Sequence, residues 1–157
     1  MSRLTEVVCR QYAAAWSLLS EGIDAVEEAG WKTGESSYAV PARIAYHAIE
    51  TADYYTHPNL AEFVWAERFG VDWEAEDAQL LPGRDEIRLY LEDVRKKAER
   101  WLTAQGEVGL LVPDEVFHQE GMTHLDRALY VLRHTQQHIG ELFSILRARG
   151  ISRPGWR

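Results

Sequence analysis

The sequence has one cysteine, no long apolar run and no excess of basic residues. Cys9 has no second cysteine in the chain to pair with, so an intramolecular disulfide is excluded and a reducing compartment is expected. No apolar run approaches the roughly 18 residues that indicate a membrane span. The first ten residues also lack the apolar core of a signal peptide. We therefore expect a cytoplasmic protein that does not enter the membrane.

The chain is acidic, because it has 17 Lys and Arg but 25 Asp and Glu, which gives a formal net charge of -8. Binding to nucleic acid depends on basic side chains that displace counterions from phosphates. Anionic membrane surfaces attract basic segments for the same electrostatic reason. The composition therefore argues against nucleic acid and membrane surfaces as partners, and a small-molecule substrate is expected instead.

The chain has the length of one ordinary domain, with 157 residues of which 46% are hydrophobic. This is long enough to bury a core without disulfides or metal staples. No internal repeat, low-complexity tract or Pro/Gly/Ser-rich linker divides the sequence. We therefore expect a single domain over residues 1–157.

Apolar residues recur at three- and four-residue steps in four long segments, which is the period of an amphipathic helix. The five prolines lie at the start of these segments, between them or after the last one, where they do not interrupt a helix. Thr123 and Asp126 resemble a capping box at the start of the last segment. The predicted helices are residues 4–28, from 37–41 to 57, 84–104 and 123–150.

The predicted connections are unequal in length, and two of them are long. A short helix is expected over residues 60–69, and an acidic irregular segment follows over 71–82. Residues 105–121 are expected to form a loop in which 109–112 are extended. No segment has the two-residue alternation that is typical of a strand. The sequence therefore predicts an all-α four-helix bundle with a short extra helix in the middle connection.

Three of the six histidines have positions that suit a metal site. His134 and His138 lie four residues apart on the last helix, which is about one turn, so both rings project from one face. His47 lies at the edge of the inner face of the second helix. Three neutral imidazoles and a water form the open tetrahedral site of catalytic zinc, although nickel, copper and iron also accept imidazole.

The remaining histidines and two glutamates have weaker patterns. His57 and His118 lie in connections without a visible partner, and His124 is about 15 Å along the helix from His134. Glu50 and Glu141 each follow one of the three candidate histidines by three residues. Either carboxylate is a candidate to orient a histidine ring or to act as a base. The alternative is that both are ordinary surface glutamates and that the histidines are core or solvated residues.

Aromatic residues are abundant, with six Trp and seven Tyr. Several of them are candidates to line a pocket beside the metal, although packing in the core is the favoured interpretation. The sequence has no Gly-rich phosphate loop and no G-x-S-x-G or H-E-x-x-H motif. The aromatic candidates are Tyr12, Trp16, Tyr46, Tyr54, Tyr55, Trp65 and Trp73.

Two segments resemble a known family. SYAVPARIAYH at residues 37–47 and HTQQHIGEL at residues 134–142 resemble the corresponding helices of the DinB-like (YfiT-like) superfamily. The last helix of that family typically reads H-x-x-x-H-x-G-Q-L. The resemblance covers nearly the whole chain, and Glu141 stands where many relatives carry Gln.

The resemblance implies an up-down-down-up bundle that is often dimeric. It also implies a zinc or nickel ion on His47, His134 and His138. Characterised relatives use the metal to activate a low-molecular-weight thiol for S-transfer or for isomerisation of maleylpyruvate. We therefore expect a divalent-metal-dependent enzyme that transfers a thiol to, or isomerises, a small electrophile. A metal-dependent hydrolase and a non-catalytic metal-binding helical dimer in stress response are the alternatives.

Overall fold

A computed structural model describes residues 2–115 and 121–156 of the chain, and four long helices account for most of them. Over these described residues no strand occurs, and the only β-type pairing is an isolated bridge between Pro113 and Thr123. The prediction of an all-α four-helix bundle is therefore confirmed. The helices are α1 (Arg3–Ala25), α2 (Pro41–Tyr55), α3 (Arg84–Leu110) and α4 (His124–Ala148).

The first and last helices run in the same direction. The hydroxyl of Tyr12 on α1 donates a hydrogen bond to the carbonyl of Ala128 near the start of α4, at 2.7 Å. Beyond the other end of both helices, Arg149 donates to the carbonyl of Gly30 at 2.8 Å. The first turns of the two helices therefore lie side by side, and so do their last turns, which means that α1 and α4 are parallel.

The two middle helices are also parallel to each other. Tyr46 on α2 makes an edge contact with Tyr90 on α3, with ring centroids 6.4 Å apart. One to two turns further along both helices, Lys97 forms an ion pair with Asp53.

The remaining pairing fixes the topology. Asp24 near the end of α1 lies 2.7 Å from Arg88 near the start of α3, so these two helices are antiparallel. The bundle therefore runs up, down, down and up in chain order, as the resemblance implied. Because α2 and α3 point the same way, the chain between them must return along the length of the bundle.

The core lies between the four helices, each of which buries one face. Burying an aliphatic side chain stabilises the fold by about 1.5–3 kcal/mol, so this core outweighs any single polar contact. Among the described residues, no helix is long and apolar enough to cross a membrane. The largest fully buried side chains on the helices are Leu18, Leu19, Ile23, Tyr46, Ile49, Ile87, Leu102, Leu110, Ile139 and Leu142.

Two predicted helix limits need correction at the ends of long helices. α1 ends at Ala25 rather than at residue 28, because Val26 turns into an extended conformation and is fully buried. α3 continues to Leu110, although Gly106 breaks its regular geometry with a φ of 59°. The extended piece predicted over residues 109–112 is therefore wrong, since Gly109 and Leu110 are helical.

The extra helix in the middle connection is shorter than predicted. It covers only Leu60–Glu62 as a single 3-10 turn, instead of residues 60–69. Ala66 has a φ of 61°, which a continuing helix does not allow. Its backbone N–H donates to the buried carboxylate of Glu50 at 2.7 Å, which holds that conformation.

The start of α4 has the capping box that the sequence predicts, and its contribution to stability can be measured. The Thr123 side chain accepts a hydrogen bond from the Asp126 backbone N–H, and the Asp126 carboxylate accepts one from the Thr123 N–H. Thr123→Ala leaves the Asp126 backbone N–H without its acceptor and should lower the free energy of unfolding by about 1 kcal/mol. Ser144→Ala, on the exposed side of the same helix, is the control and should change it by less than about 0.5 kcal/mol. Urea unfolding measures both, and equal effects would contradict the assignment.

Candidate metal centre

The antiparallel packing of α2 against α4 brings three histidine rings together. The Nε2 atom of His134 lies 3.2 Å from Nε2 of His47 and 3.1 Å from Nε2 of His138. One ring nitrogen from each of the three histidines falls within a single group that spans at most 4.8 Å. The sequence predicted this set of residues, and the structure places them on two neighbouring helices with their nitrogens facing one another.

Two of the three nitrogen separations fit a tetrahedral metal ion. A zinc–imidazole bond of about 2.0–2.1 Å at tetrahedral angles separates two ligand nitrogens by about 3.3–3.4 Å. The observed separations of 3.1 and 3.2 Å are close to that edge length. A neutral imidazole has one N–H and one lone pair, so three facing nitrogens cannot all be paired by hydrogen bonds among themselves. A cation at their centre satisfies all three lone pairs at once.

Glu141 orients one of the three rings. Its carboxylate lies 2.7 Å from Nδ1 of His138. Because a carboxylate only accepts, Nδ1 of His138 carries the hydrogen and donates it, so that in the neutral form of this ring Nε2 presents its lone pair to the cluster. A histidine that binds a metal commonly donates its second N–H to a carboxylate in this way. Glu141 therefore occupies the position that a ring-orienting carboxylate requires.

The cluster favours uncharged imidazole. Burial, and then the proximity of His138, lower the pKa of His47 to about 4 from an ordinary 6.5. Burial, and then His138 and His47, lower the pKa of His134 to about 3. Both rings are therefore neutral at pH 7, which is the form that binds a metal.

Glu50, which the sequence offered as a candidate to orient a histidine ring or to act as a base, instead binds the connection between α2 and α3. Its side chain is 2% exposed, it accepts a hydrogen bond from the Ala66 backbone N–H, and its Oε1 atom lies 3.3 Å from the Tyr46 hydroxyl oxygen. Burial raises its pKa. It makes no hydrogen bond to His47, whose Nδ1 atom is buried without a partner among the described residues. Glu50 therefore anchors the connection between α2 and α3 and does not orient the neighbouring histidine.

A small pocket opens beside the cluster. It has a volume of ≈ 190 Å³ and is lined by Tyr38, Ile44 and Trp73, together with Arg43, His47, His138 and Glu141. The walls are mainly apolar. The guanidinium of Arg43 is directed to backbone carbonyls of residues 73 and 75. The pocket therefore offers room for a small, mainly apolar group next to His47 and His138.

His57 and His124 lie apart from the cluster, as predicted. Nδ1 of His124 contacts the carbonyl of Gly109 at 2.9 Å and the side chain of Gln105 at 3.0 Å. His57 contacts the carbonyl of Asn59 at the end of α2. The prediction for His118 lies outside the described residues.

The aromatic candidates divide between the core and the site. Tyr12 and Trp16 are buried between α1 and its neighbours, and Tyr46 is buried in the core. Only Trp73 lines the pocket, where its ring centroid lies 4.0 Å from that of His47. Tyr54 and Trp65 contact each other instead, with centroids 4.9 Å apart.

Two residues of the site were not predicted. Tyr130 stacks on His134 with ring centroids 6.0 Å apart and an interplanar angle of 26°. Arg43 lines the pocket and ties down the segment that carries Trp73. Each precedes a cluster histidine by four residues, which is one helical turn. That spacing was the available signal, because it places both residues on the faces that carry His134 and His47.

Comparison with known proteins identifies no relative: no family model, no curated protein and no solved structure matches this chain. The resemblance to DinB-like proteins therefore depends on the residues and helix order of this chain alone.

The lowered pKa values of His47 and His134 predict that the metal-free protein loses stability as the pH falls. In the unfolded chain these rings take up protons near pH 6.5, whereas in the folded protein they stay neutral down to about 4 and about 3. The unfolded state therefore binds more protons below pH 6.5, and the free energy of unfolding decreases towards pH 4. Urea unfolding of chelator-treated protein between about pH 7 and about pH 5 measures the slope. His134→Gln should make it shallower, and an unchanged slope would contradict the assignment.

Proposed function

We propose that this protein is a divalent-metal-dependent enzyme of the DinB-like type, located in the cytoplasm. His47, His134 and His138 hold one zinc or nickel ion, and the enzyme transfers a low-molecular-weight thiol to a small electrophile or isomerises it. The observation that carries the proposal is the convergence of three Nε2 atoms with spacings of 3.1 and 3.2 Å. The single cysteine of the chain supports the cytoplasmic location.

The metal supplies one property, which is a lowered pKa of a bound thiol or water, so that a nucleophile is available at neutral pH. Glu141 keeps His138 in the tautomer that presents Nε2. Ile44 and Trp73 line the adjacent pocket and exclude water from part of it. With Tyr38 they provide apolar walls for the electrophile, while the three donors from α2 and α4 leave a tetrahedral position open.

The hydrolase is the second candidate, and Glu141 is the observation that favours it. Its side chain is 44% exposed, so its carboxylate lies at the solvent-facing edge of the cluster while contacting His138. A carboxylate in this place can accept a proton from an attacking water. Glu141→Gln separates the two roles: it should lower hydrolysis strongly and S-transfer weakly.

Metal content tests the proposal directly. Purified untagged protein should contain about one zinc or nickel ion per chain by mass spectrometry, because three neutral imidazoles form a complete ligand set. A His47→Ala/His134→Ala double variant should contain none. His124→Ala is the matched control and should keep full occupancy, since its ring contacts α3 and not the cluster.

Removal of the ion should also lower the melting temperature, because a ligand that binds only the folded state stabilises it by mass action. Wild-type protein that takes up no divalent metal, even after reconstitution, would overturn the metal proposal. A non-catalytic dimer is the remaining interpretation if metal binds but neither thiols nor esters perturb the spectrum of the cobalt-substituted protein.

Turnover of a model electrophile tests the reaction class. With chlorodinitrobenzene, the thiol sulfur forms a bond to the ring carbon, the carbon–chlorine bond breaks, chloride leaves and the thiol proton passes to solvent. This turnover should require both metal and added thiol, and should be lost in His134→Ala. Ester hydrolysis that proceeds without thiol would favour the hydrolase instead.

We also propose that two chains form a homodimer, as DinB-like proteins often do. The parallel helices α1 and α4 each expose a large apolar side chain, Val7 at 40% and Leu129 at 48%, and these residues are our candidates for the interface. Light scattering on the purified protein should give twice the chain mass of 18.0 kDa. A Leu129→Glu variant should shift the protein towards the monomer, and a monomeric wild type would contradict this proposal.

A further inference from the structure

The connection between α2 and α3 passes directly over the histidine cluster. Residues 71–75, here called the strap, are held against α2 by hydrogen bonds to alternate backbone carbonyls. The Tyr46 hydroxyl donates to the carbonyl of Val71 at 2.9 Å. The guanidinium of Arg43 donates to the carbonyl of Trp73 and, at 2.7 Å, to that of Ala75. Because Arg43 is 5% exposed and rooted in a helix, it fixes the strap at a defined distance from α2.

The strap places the indole of Trp73 against the imidazole of His47. The two ring centroids are 4.0 Å apart, and the ring planes are tilted by 40°. His47 differs here from His138, whose Nδ1 atom is paired with Glu141. Nδ1 of His47 is buried and has no hydrogen-bond partner in the part of the chain that is described. Ring contact with Trp73 therefore takes the place of the missing hydrogen bond.

We propose that Trp73 is a positioning residue that holds the His47 ring with Nε2 directed at the metal, and that Arg43 acts through it by fixing the strap. This inference rests on the proposed metal site. An imidazole without a second hydrogen bond is free to rotate about its side-chain bonds, and each rotation removes Nε2 from the cluster. An indole packed against the ring blocks that rotation and also keeps water from one side of the ion.

Metal affinity measures the positioning role. Competition between the protein and a chromophoric chelator for Zn²⁺ gives the dissociation constant of each variant. Trp73→Ala should weaken binding by about tenfold or more, the usual effect of removing a group that orients a metal ligand. Trp73→Phe retains an aromatic ring at this position and should stay within about threefold of the wild type.

A tryptophan elsewhere in the fold provides the control. Trp101 on α3 also contacts a histidine, His124, with centroids 6.4 Å apart, but that histidine is outside the cluster. Trp101→Phe should leave the zinc affinity unchanged.

The strap itself is tested with a matched pair of arginines. Arg149 resembles Arg43 because it also donates to two backbone carbonyls of a connection, those of Gly30 and Thr33, but it lies away from the cluster. Arg43→Met should weaken zinc binding in the same direction as Trp73→Ala, whereas Arg149→Met should not. Urea unfolding of both variants shows whether they lose comparable stability, so that a difference in affinity is assigned to the strap.

Fluorescence gives a second readout, which shows whether the bound ion lies beside Trp73. Trp73 contacts a histidine of the cluster, whereas Trp101 contacts His124, which lies outside it. Bound Co²⁺ should therefore quench the part of the wild-type emission that comes from Trp73. Trp73→Phe should lose this quenched part while still binding Co²⁺.

The outcomes separate this inference from the function on which it rests. Wild-type protein that binds zinc, together with a Trp73→Ala variant that binds it equally tightly, would overturn the positioning role and leave the metal site intact. Equal affinities for Arg43→Met and Arg149→Met would overturn the role of the strap. A wild-type protein that binds no metal would overturn both proposals.

Discussion

The meeting of three imidazole rings, with Nε2 of His134 3.2 Å from that of His47 and 3.1 Å from that of His138, is the constraint on which the rest of this structure depends. Charged rings at these separations would repel one another, and burial lowers the pKa values of His47 and His134 so that both stay neutral. Neutral rings in turn present more lone pairs than hydrogens at the centre of the group. The packing of α2 on α4 thus creates the group of three histidines on which the proposed metal site rests.

The direction of the helices explains the second main feature of the molecule. Because α2 and α3 are parallel, the connection between them returns along the bundle, and it runs over one face of α2. Three buried polar side chains on that face bind its backbone: Glu50 at Ala66, and Tyr46 and Arg43 along the strap. The polar side chains of α2 therefore serve two purposes. His47 faces α4 and joins the histidine cluster, whereas Arg43, Tyr46 and Glu50 bind the backbone of the connection between α2 and α3.

Much of the fold followed from residue patterns that depend only on local chemistry. The three- and four-residue steps predicted four helices, and Thr123 with Asp126 predicted the start of α4. The errors occur where tertiary contacts override local preference. Ala66 adopts a left-handed conformation because a buried carboxylate binds its N–H, and Val26 leaves α1 to enter the core. Such contacts join residues far apart in sequence, and helical periodicity does not report them.

The sequence by itself determined that His134 and His138 share one face of a helix, because they lie four residues apart. It also determined that Glu141 lies within reach of His138, again through helical spacing. Only the tertiary structure decided that His47 joins them, that Glu50 turns to the connection instead, and that Trp73 covers the site. The physical reason is that helix geometry relates residues one turn apart, whereas the arrangement across helices and connections is set by packing of the whole core and by the direction of each helix.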